Sequence, residues 1–264
     1  MSKAKVKFRG MPRTDEVEVN VTESTVKLNS KCYGIEKLAW DAPVSGTIYG
    51  VLLNYKGALA ALGKAVNEAP YKEGPKAPIL YIKPANTVIG YGMPIPIPAD
   101  VPELEIGAAL GIVIGRTATR VSEGEALEYI AGYTVVNDVS IPHESVYRPA
   151  ISQKARDGFC PVGPWIIERD AVVASPDSIR VRVYINGEIR QENTTANLIR
   201  SVSQLIADIT DFMTLNPGDT LLVGVPEGAP LAKAGDHVRI EIEGVGSLEN
   251  TIVHENEWVM GGTL

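Results

Sequence analysis

The chain has 264 residues, of which 45% are hydrophobic, and carries a formal net charge of −7. This length and composition are typical of a globular protein with one large domain and an appendage, and the acidic balance argues against a nucleic-acid-binding surface. No apolar run approaches the roughly 20 residues of a transmembrane helix, so we predict a cytoplasmic protein without a membrane partner. Two cysteines are too few for a disulfide framework.

The first 45 residues contain short alternating segments, VEVNV and STVKLNS, which predict a small N-terminal β element. Proline and glycine in DAPVSG punctuate the chain, and we place a boundary there, with the main domain at residues 46–264. The apolar run TIYGVLLNY predicts a buried strand. Alanine and leucine at helical spacing then predict a short helix over residues 57–67.

The middle of the chain combines further strands with one helix and one long loop. Prolines within residues 94–98 predict an edge or extended connection, because proline cannot donate to a sheet. LGIVIGR predicts a central strand, and Ser122 followed by Glu125 is a capping-box pattern that predicts a helix over residues 123–130. The polar residues 140–165 show no period and predict a long functional loop.

The last third is again rich in strand patterns. IRVRVYINGEIRQ alternates on both sides of Asn186-Gly187, which predicts a β-hairpin. Residues 197–213 have a one-sided apolar stripe and predict a helix. HVRIEIEG predicts a strand with alternating burial. The chain is therefore mainly β with a few helices, an α+β class without regular β-α alternation.

Two features suggest ligand chemistry before any family is considered. Glu103 and Glu105 project to one face of an extended chain, where two carboxylates can bind a hard divalent cation, or they are solvated charges before a strand. Positive charge is dispersed through the middle of the chain. If the fold gathers these residues they would attract a small polyanion, and otherwise they are ordinary surface charges: Lys83, Arg148, Lys154 and Arg156.

Four ordered motifs, GYTVVNDVS, KARDGFCPVGP, NGEIRQENTT and LNPGDTLLVGVPEG, resemble the fumarylacetoacetate hydrolase family over about residues 46–255. The resemblance implies a mixed β-sandwich roll with a few peripheral helices. It also implies Mg²⁺ or Mn²⁺ held by three carboxylates and a 2-oxo di- or tricarboxylate substrate that reacts through a metal-bound enolate. The implied assembly is a homo-oligomer or a hetero-oligomer with a paralogous metal-bearing subunit.

The resemblance also implies roles for individual residues. Asp138 matches the metal-binding aspartate and Lys154 the active-site lysine, which neutralises substrate or enolate charge, while Asn54-Tyr55 matches a pair at the end of the first core strand. The predicted site therefore has three parts. Its catalytic residues are Lys154 and Arg156, its substrate-binding residues are Asn54, Tyr55, Lys83 and Asp157, and its metal ligand is Asp138.

The chain departs from the family pattern at the other metal ligands. The paired glutamates of the family correspond to Gly107 and Ala109. Glu103 and Glu105 lie four residues upstream, about 13 Å away in an extended strand, so only a local bulge would bring them to the metal. Three further family residues, a histidine, an arginine and a threonine, correspond to Ala58, Pro142 and Val225.

Three functions remain open at this stage. Two longer segments, GTIYGVLLNYKGALAAL and DVSIPHESVYRPAISQKARDGFCPVG, resemble the N-terminal half of the two-repeat decarboxylase/isomerases within the family, those of 4-hydroxyphenylacetate catabolism. This resemblance implies decarboxylation and isomerisation of a 2-oxo tricarboxylate. The second possibility is a non-catalytic subunit that supports a metal-bearing partner. The third is an acylpyruvate hydrolase, for which Ala58 in place of the expected basic residue is unfavourable.

Overall fold

The computed structural model describes residues 1–68, 72–143, 150–172 and 174–258. The strands of these residues, β1–β19 in chain order, are Ser2–Phe8, Asp15–Asn20, Thr25–Leu28, Lys31–Gly34, Trp40–Asp41, Ile48–Leu52, Ile79–Lys83, Val88–Ile89, Ile95–Ile97, Leu104–Glu105, Ala108–Ile114, Ile130–Asn137, Cys160–Glu168, Arg180–Ile185, Glu188–Thr194, Thr220–Leu222, Leu231–Ala232, His237–Ile242 and Gly246–His254. The α-helices, α1–α3, are Lys56–Ala61, Ile151–Lys154 and Val202–Phe212. The 3₁₀ helices are Ile35–Lys37, Gly63–Asn67, Ala85–Thr87, Glu123–Tyr129, Arg169–Ala171, Thr195–Asn197 and Glu255–Glu257. None of the helices in these ranges is long and apolar enough to cross a membrane.

Two sheets dominate the fold. The large sheet has the order β4-β3-β2-β1-β13-β12-β11-β16-β6-β7, with β5 added to β1 and β8 added to β13. The second sheet has the order β15-β14-β18-β19-β9, and β10 pairs with β17 alone. Strands therefore dominate and helices lie between them, which confirms the predicted α+β, mainly β class.

The centre of the large sheet is apolar on both faces. Every residue of β11 is buried, and β11 pairs antiparallel with β12 on one side and β16 on the other. This confirms the central strand predicted from LGIVIGR. A strand that is covered on both faces needs apolar residues throughout, which explains why its sequence runs on without polar alternation.

The prediction of one long loop over residues 140–165 is wrong at its C-terminal end. Cys160–Glu168 forms β13, which lies between β1 and β12 and is buried along nearly its whole length. Burial on both faces removes the period-2 signal, and Pro161 and Pro164 weaken the strand pattern further. The loop predicted from the sequence therefore ends before Cys160, and it is interrupted by α2 at Ile151–Lys154.

The remaining element predictions differ mainly in length and helix type. The predicted helix over residues 57–67 is α1 followed by the 3₁₀ helix Gly63–Asn67, and the one over residues 123–130 is the 3₁₀ helix Glu123–Tyr129. The helix predicted over residues 197–213 is α3, which begins later, at Val202, and ends at Phe212. The proline-rich segment contributes β9 at the edge of the five-stranded sheet, as predicted.

The hairpin at Asn186-Gly187 is confirmed. These two residues connect β14 to β15 and have φ values of 53° and 85°. Asparagine and glycine tolerate this left-handed conformation better than other residues, so the turn occurs where the sequence places them.

The N-terminal element extends the main sheet directly. β1 pairs antiparallel with β13 through Ala4, Lys5 and Val6, and β2, β3 and β4 follow outward in order. Ala4 and Val6 belong to the same apolar core as the central strands. The boundary predicted near residue 45 stays a prediction, although no break in the sheet marks it.

The large sheet curls so that distant strands meet. β7 lies four positions from β12 in the strand order, which corresponds to about 19 Å in a flat sheet. Nevertheless Lys83 at the end of β7 lies 2.9 Å from Asp138, the residue after β12, measured from Nζ to Oδ1. The curl therefore brings the ends of β7 and β12 together inside the roll.

Candidate active site

A buried carboxylate forms the centre of the candidate site. Asp138 follows directly after β12 and is only 2% exposed. Its Oδ1 pairs with Lys83 Nζ at 2.9 Å, and its Oδ2 accepts from Lys154 Nζ at 3.1 Å. The Tyr81 hydroxyl also donates to Oδ2. The fold thus gathers two of the dispersed basic residues, Lys83 and Lys154, around one aspartate.

The charges of this cluster keep Asp138 ionised. Burial on its own would raise the pKa of Asp138, but the Lys154 and Lys83 ammonium groups and the Tyr81 hydrogen bond outweigh burial and hold the pKa well below its usual range. The pKa of Tyr81 is raised well above its usual range, by burial first and by the Asp138 charge second. The cluster therefore contains a carboxylate and a neutral phenol.

Lys83 ties the cluster to the backbone. Besides its ion pair with Asp138, Lys83 Nζ donates to the main-chain oxygens of Val139 at 3.1 Å and Lys154 at 2.7 Å. An ammonium group has three donors, and the two main-chain hydrogen bonds use two of them. The substrate-binding role of Lys83 stays a prediction. Its contacts place Lys154 beside Asp138.

Tyr81 is a site residue that the sequence reasoning missed. Its ring faces Gly50 on the neighbouring strand, where a Cβ would lie 2.0 Å from the ring. Lys154 Nζ lies 5.1 Å from the centre of the same ring. The available signal was the short sequence YIKP, which places Tyr81 and Lys83 on the same face of one strand.

A cavity of about 300 Å³ lies beside the cluster. The Lys154 side chain, 18% exposed, contributes a charged group to its wall, and the other walls are mainly apolar. The residues that line the cavity are Leu52, Ile79, Leu80, Tyr81, His143, Ala150 and Lys154. A volume of this size suits a small organic molecule.

Asn54 and Tyr55 lie in the interior of the protein. The Asn54 amide donates to the Val223 and Arg200 main-chain oxygens at 2.9 and 3.2 Å and accepts from the Arg200 amide at 3.0 Å. Tyr55 is fully buried, and burial followed by the Glu227 charge raises its pKa. Their substrate-binding roles stay predictions, and the contacts of Asn54 are those of a residue that joins two loops.

Arg156 and Asp157 lie on a different cavity, of about 290 Å³. Asp157 Oδ1 accepts from Asn86 at 2.6 Å, and Arg156 Nε donates to the Ser152 main-chain oxygen at 2.9 Å. The structure therefore does not bring these two residues onto the wall that carries Lys154. Their catalytic and substrate-binding roles stay predictions, and Arg148 lies outside the described residues.

The positions of the missing glutamates have little room for a ligand side chain. A Cβ at Gly107 would lie 2.4 Å from the main-chain oxygen of Asp138 and 3.1 Å from a Val225 methyl group. Ala109 is buried in an apolar cluster with Val136 and Cys160 among its members. Glutamates at either position would require the surrounding chain to move.

The upstream carboxylates do not replace them. Glu105 Oε2 accepts from the Ser140 hydroxyl at 3.0 Å, and β10, which contains Glu105, pairs with β17. Among the residues that the structure describes, no three histidine, cysteine, aspartate or glutamate side chains group as a metal site. Together with the ammonium groups on Asp138, this means that the side chains of the described ranges do not fit Mg²⁺ or Mn²⁺.

A curled mainly β fold with a buried charged cluster beside a small cavity defines a small-molecule-binding domain of the kind that enzymes use. The sequence profile described as Fumarylacetoacetate (FAA) hydrolase C-terminal matches residues 47–253, and the chain belongs to this family. This confirms the resemblance based on the four ordered motifs.

Among characterised proteins, the chain is similar to bifunctional isomerase/decarboxylases. The chain is 44% identical over 214 residues to the 4-hydroxyphenylacetate degradation bifunctional isomerase/decarboxylase of Escherichia coli, covering 81% of this chain and 48% of that protein. The protein described in the same words from Salmonella dublin is 41% identical, over 83% of this chain and 50% of the relative. The chain thus spans about half the length of these relatives.

Solved structures share the fold over nearly the whole chain. The 5-carboxymethyl-2-hydroxymuconate delta-isomerase of Mycobacterium smegmatis is 29% identical with a TM-score of 0.76, covering 96% of this chain and 99% of that one. The 2-hydroxyhepta-2,4-diene-1,7-dioate isomerase of Mycobacterium marinum is 27% identical with a TM-score of 0.75, covering 97% and 100%.

Proposed function

We propose that the chain is the metal-poor subunit of a 5-oxopent-3-ene-1,2,5-tricarboxylate decarboxylase / 2-hydroxyhepta-2,4-diene-1,7-dioate isomerase of 4-hydroxyphenylacetate catabolism. In this proposal a paralogous subunit carries the three-carboxylate metal set. The observation that supports the proposal is that the site has one family metal-ligand residue, Asp138, and lacks, among the described residues, side chains that could act as the other ligands. Asp138 and Lys154 are in contact, whereas Gly107 and Ala109 occupy the positions of the other ligands in packed surroundings.

The half-length match to two-activity relatives supports this proposal. A chain that is 44% identical to one half of a bifunctional protein corresponds to one of its two modules. The other half of the activity is then proposed to belong to a second, metal-bearing module. The subunit is proposed to act on small 2-oxo carboxylates, because Lys154 offers an ammonium group beside a cavity of about 300 Å³.

The experiment that tests the proposal compares the activity of the purified chain alone with its activity in the presence of a metal-bearing module. The purified chain is assayed for decarboxylation of the tricarboxylate with Mg²⁺, alone and mixed with a family module that has the paired glutamates. We expect no turnover by the purified chain alone, and turnover by the mixture at a rate above that of the metal-bearing module by itself. A mixture no faster than that module contradicts the proposed subunit role.

A second candidate, a self-sufficient isomerase, is favoured by one observation. The mycobacterial isomerases match this chain along their whole length, so a single module of this size is compatible with isomerase activity in those proteins. The same assay distinguishes the two candidates. Isomerisation of the dienedioate by the purified chain, unchanged when a partner is added, identifies the self-sufficient enzyme.

A further inference from the structure

We propose that a second cavity, at the junction of the N-terminal element and the main domain, binds an organic anion with an apolar body. This junction cavity has a volume of about 560 Å³, and its walls come from β1, the β1–β2 connection, residues 43–45 and the ends of β11 and β13. The volume is within the range of small-molecule sites, about 300–1,000 Å³. The inference is independent of the proposed function, because among the described residues the junction cavity and the cavity beside Lys154 share no lining residue.

The junction cavity lies on the face of the large sheet that also carries the candidate site. Val113, which lines the cavity, is four residues along β11 from Ala109, and residues an even number apart in a strand project to the same face. Four residues of strand span about 13 Å. Val44 lines the cavity and also packs against the apolar cluster that contains Ala109. The junction cavity is therefore a separate concavity of this face.

The floor of the junction cavity is apolar. Ile166 and Val113 line it and are only 6% and 4% exposed. Three wall segments contain a proline, which fixes φ and so helps the walls to keep their shape without a ligand. These prolines are Pro12, Pro43 and Pro217. A preformed apolar floor suits the hydrocarbon or aromatic part of a ligand.

The rim of the junction cavity is basic, although the chain as a whole is acidic. Three of the four charged residues on its wall are basic, whereas the whole chain has 25 lysine and arginine residues against 32 aspartate and glutamate residues. Lys7 pairs with Asp41 at 2.8 Å. Among the described residues, the exposed side chains of Lys5 and Arg13 form no ion pair, so their charges are available to a ligand.

Two carboxylates near Lys5 decide which ligand the rim favours. Glu168 is the fourth charged residue of the wall, and Glu16 is the register partner of Lys5 on β2 and borders a neighbouring groove. These carboxylates reduce the attraction that Lys5 alone would exert on an anion. The ligand therefore needs Arg13 as well as Lys5, which favours an anionic group at the rim with its apolar body on the floor.

The test is a fluorescence titration of the full chain with 8-anilinonaphthalene-1-sulfonate, an anion with an aromatic body. We expect saturation at one probe per chain, weaker binding at higher ionic strength because exposed charges are screened, and weaker binding of the neutral analogue N-phenyl-1-naphthylamine. The double variant Lys5→Met, Arg13→Met is expected to weaken binding about 3- to 10-fold, the effect of two exposed ion pairs. Lys3→Met removes an exposed lysine on the same face of β1 and is the matched control.

Two further variants distinguish a charged site from a general loss of structure. Glu168→Gln removes the carboxylate of the wall and is expected to tighten sulfonate binding about 2-fold. It should leave the neutral analogue unchanged, a difference that partial unfolding would not produce. Lys154→Met should leave probe binding unchanged, because its cavity is a separate one. Absence of saturable binding, equal affinity in the Lys5 and Arg13 double variant, or loss of the binding event in Lys154→Met would each overturn the inference.

Discussion

At the scale of single residues, the site is determined by which charges surround Asp138. Its carboxylate is shared by two ammonium groups and a phenol, and each of these comes from an element that the curl of the sheet brings close. The family resemblance identified Asp138 and Lys154 as site residues, and the structure places them in contact. Their predicted metal-binding and catalytic roles stay predictions.

Substitution of the central carboxylate tests its structural contribution. Asp138→Asn leaves the buried Lys83 ammonium group and the partly exposed Lys154 ammonium group without a charge partner, so we expect the free energy of unfolding to fall by about 3–5 kcal/mol. Urea denaturation measures this change. Asp100→Asn, at an exposed position, serves as the control and is expected to stay within about 0.5 kcal/mol of the wild type. Equal stability of both variants would contradict the cluster's role.

The same carboxylate predicts a pH dependence. The pKa of Asp138 is lower in the folded protein than in the unfolded chain, so the folded state releases this proton at lower pH. Its stabilising contribution is therefore complete above the unfolded pKa of about 4 and is lost as the pH falls toward the folded pKa. Denaturation curves below pH 4 should show a loss that is absent in Asp138→Asn.

Gly50 makes room for Tyr81, and its substitution tests that contact. A Cβ at this position would overlap the Tyr81 ring, so we expect Gly50→Ala to displace the ring from Asp138 and to lower the free energy of unfolding by about 1–3 kcal/mol. Gly124→Ala is the matched control, because a Cβ there meets no atom within 4 Å. A neutral result for Gly50→Ala would show that Tyr81 tolerates another position.

At the scale of elements, local signals predicted some structures well. Asn186-Gly187 identifies its hairpin because both residues accept positive φ, and the stripe of α3 buries Val202, Leu205, Ile206 and Ile209. Phe212, the last residue of the helix, belongs to the same stripe but is 65% exposed. β13 was missed because a strand buried on both faces has no periodic signal.

The N-terminus of α3 offers a test of one local signal. The Ser201 hydroxyl accepts a hydrogen bond from the Gln204 amide at 3.1 Å, which caps the helix. We expect Ser201→Ala to lower the free energy of unfolding by about 1 kcal/mol. Ser203→Ala, inside the same helix, should cause no loss because alanine has the higher helix propensity. Thermal denaturation of the two variants gives the comparison.

At the scale of the whole molecule, the site depends on contacts that no local pattern encodes. Lys83 and Asp138 are 55 positions apart in the chain and four strands apart in the sheet order. Their meeting follows from the curl of the large sheet, which is a collective result of strand twist and packing. The sequence could therefore supply candidate residues but not their positions relative to one another. The structure places Arg156 and Asp157 on a different cavity from the one lined by Lys154.

The continuity of the large sheet gives a prediction about the N-terminal element. Removal of residues 1–45 deletes β1 and exposes the edge of β13, so we expect the shortened chain to lose cooperative unfolding and to aggregate. Size-exclusion chromatography and denaturation measure both effects. A soluble shortened chain with a cooperative transition would support an independent domain that begins near residue 46.

The central claim is that this member of the family keeps the fold while its described residues form no metal-ligating constellation. The most direct measurement is a titration of the purified chain with Mn²⁺, with free Mn²⁺ followed by electron paramagnetic resonance. We predict no saturable site, and the same curve for the double variant Glu103→Gln, Glu105→Gln. Saturable binding of one Mn²⁺ per chain would contradict the claim.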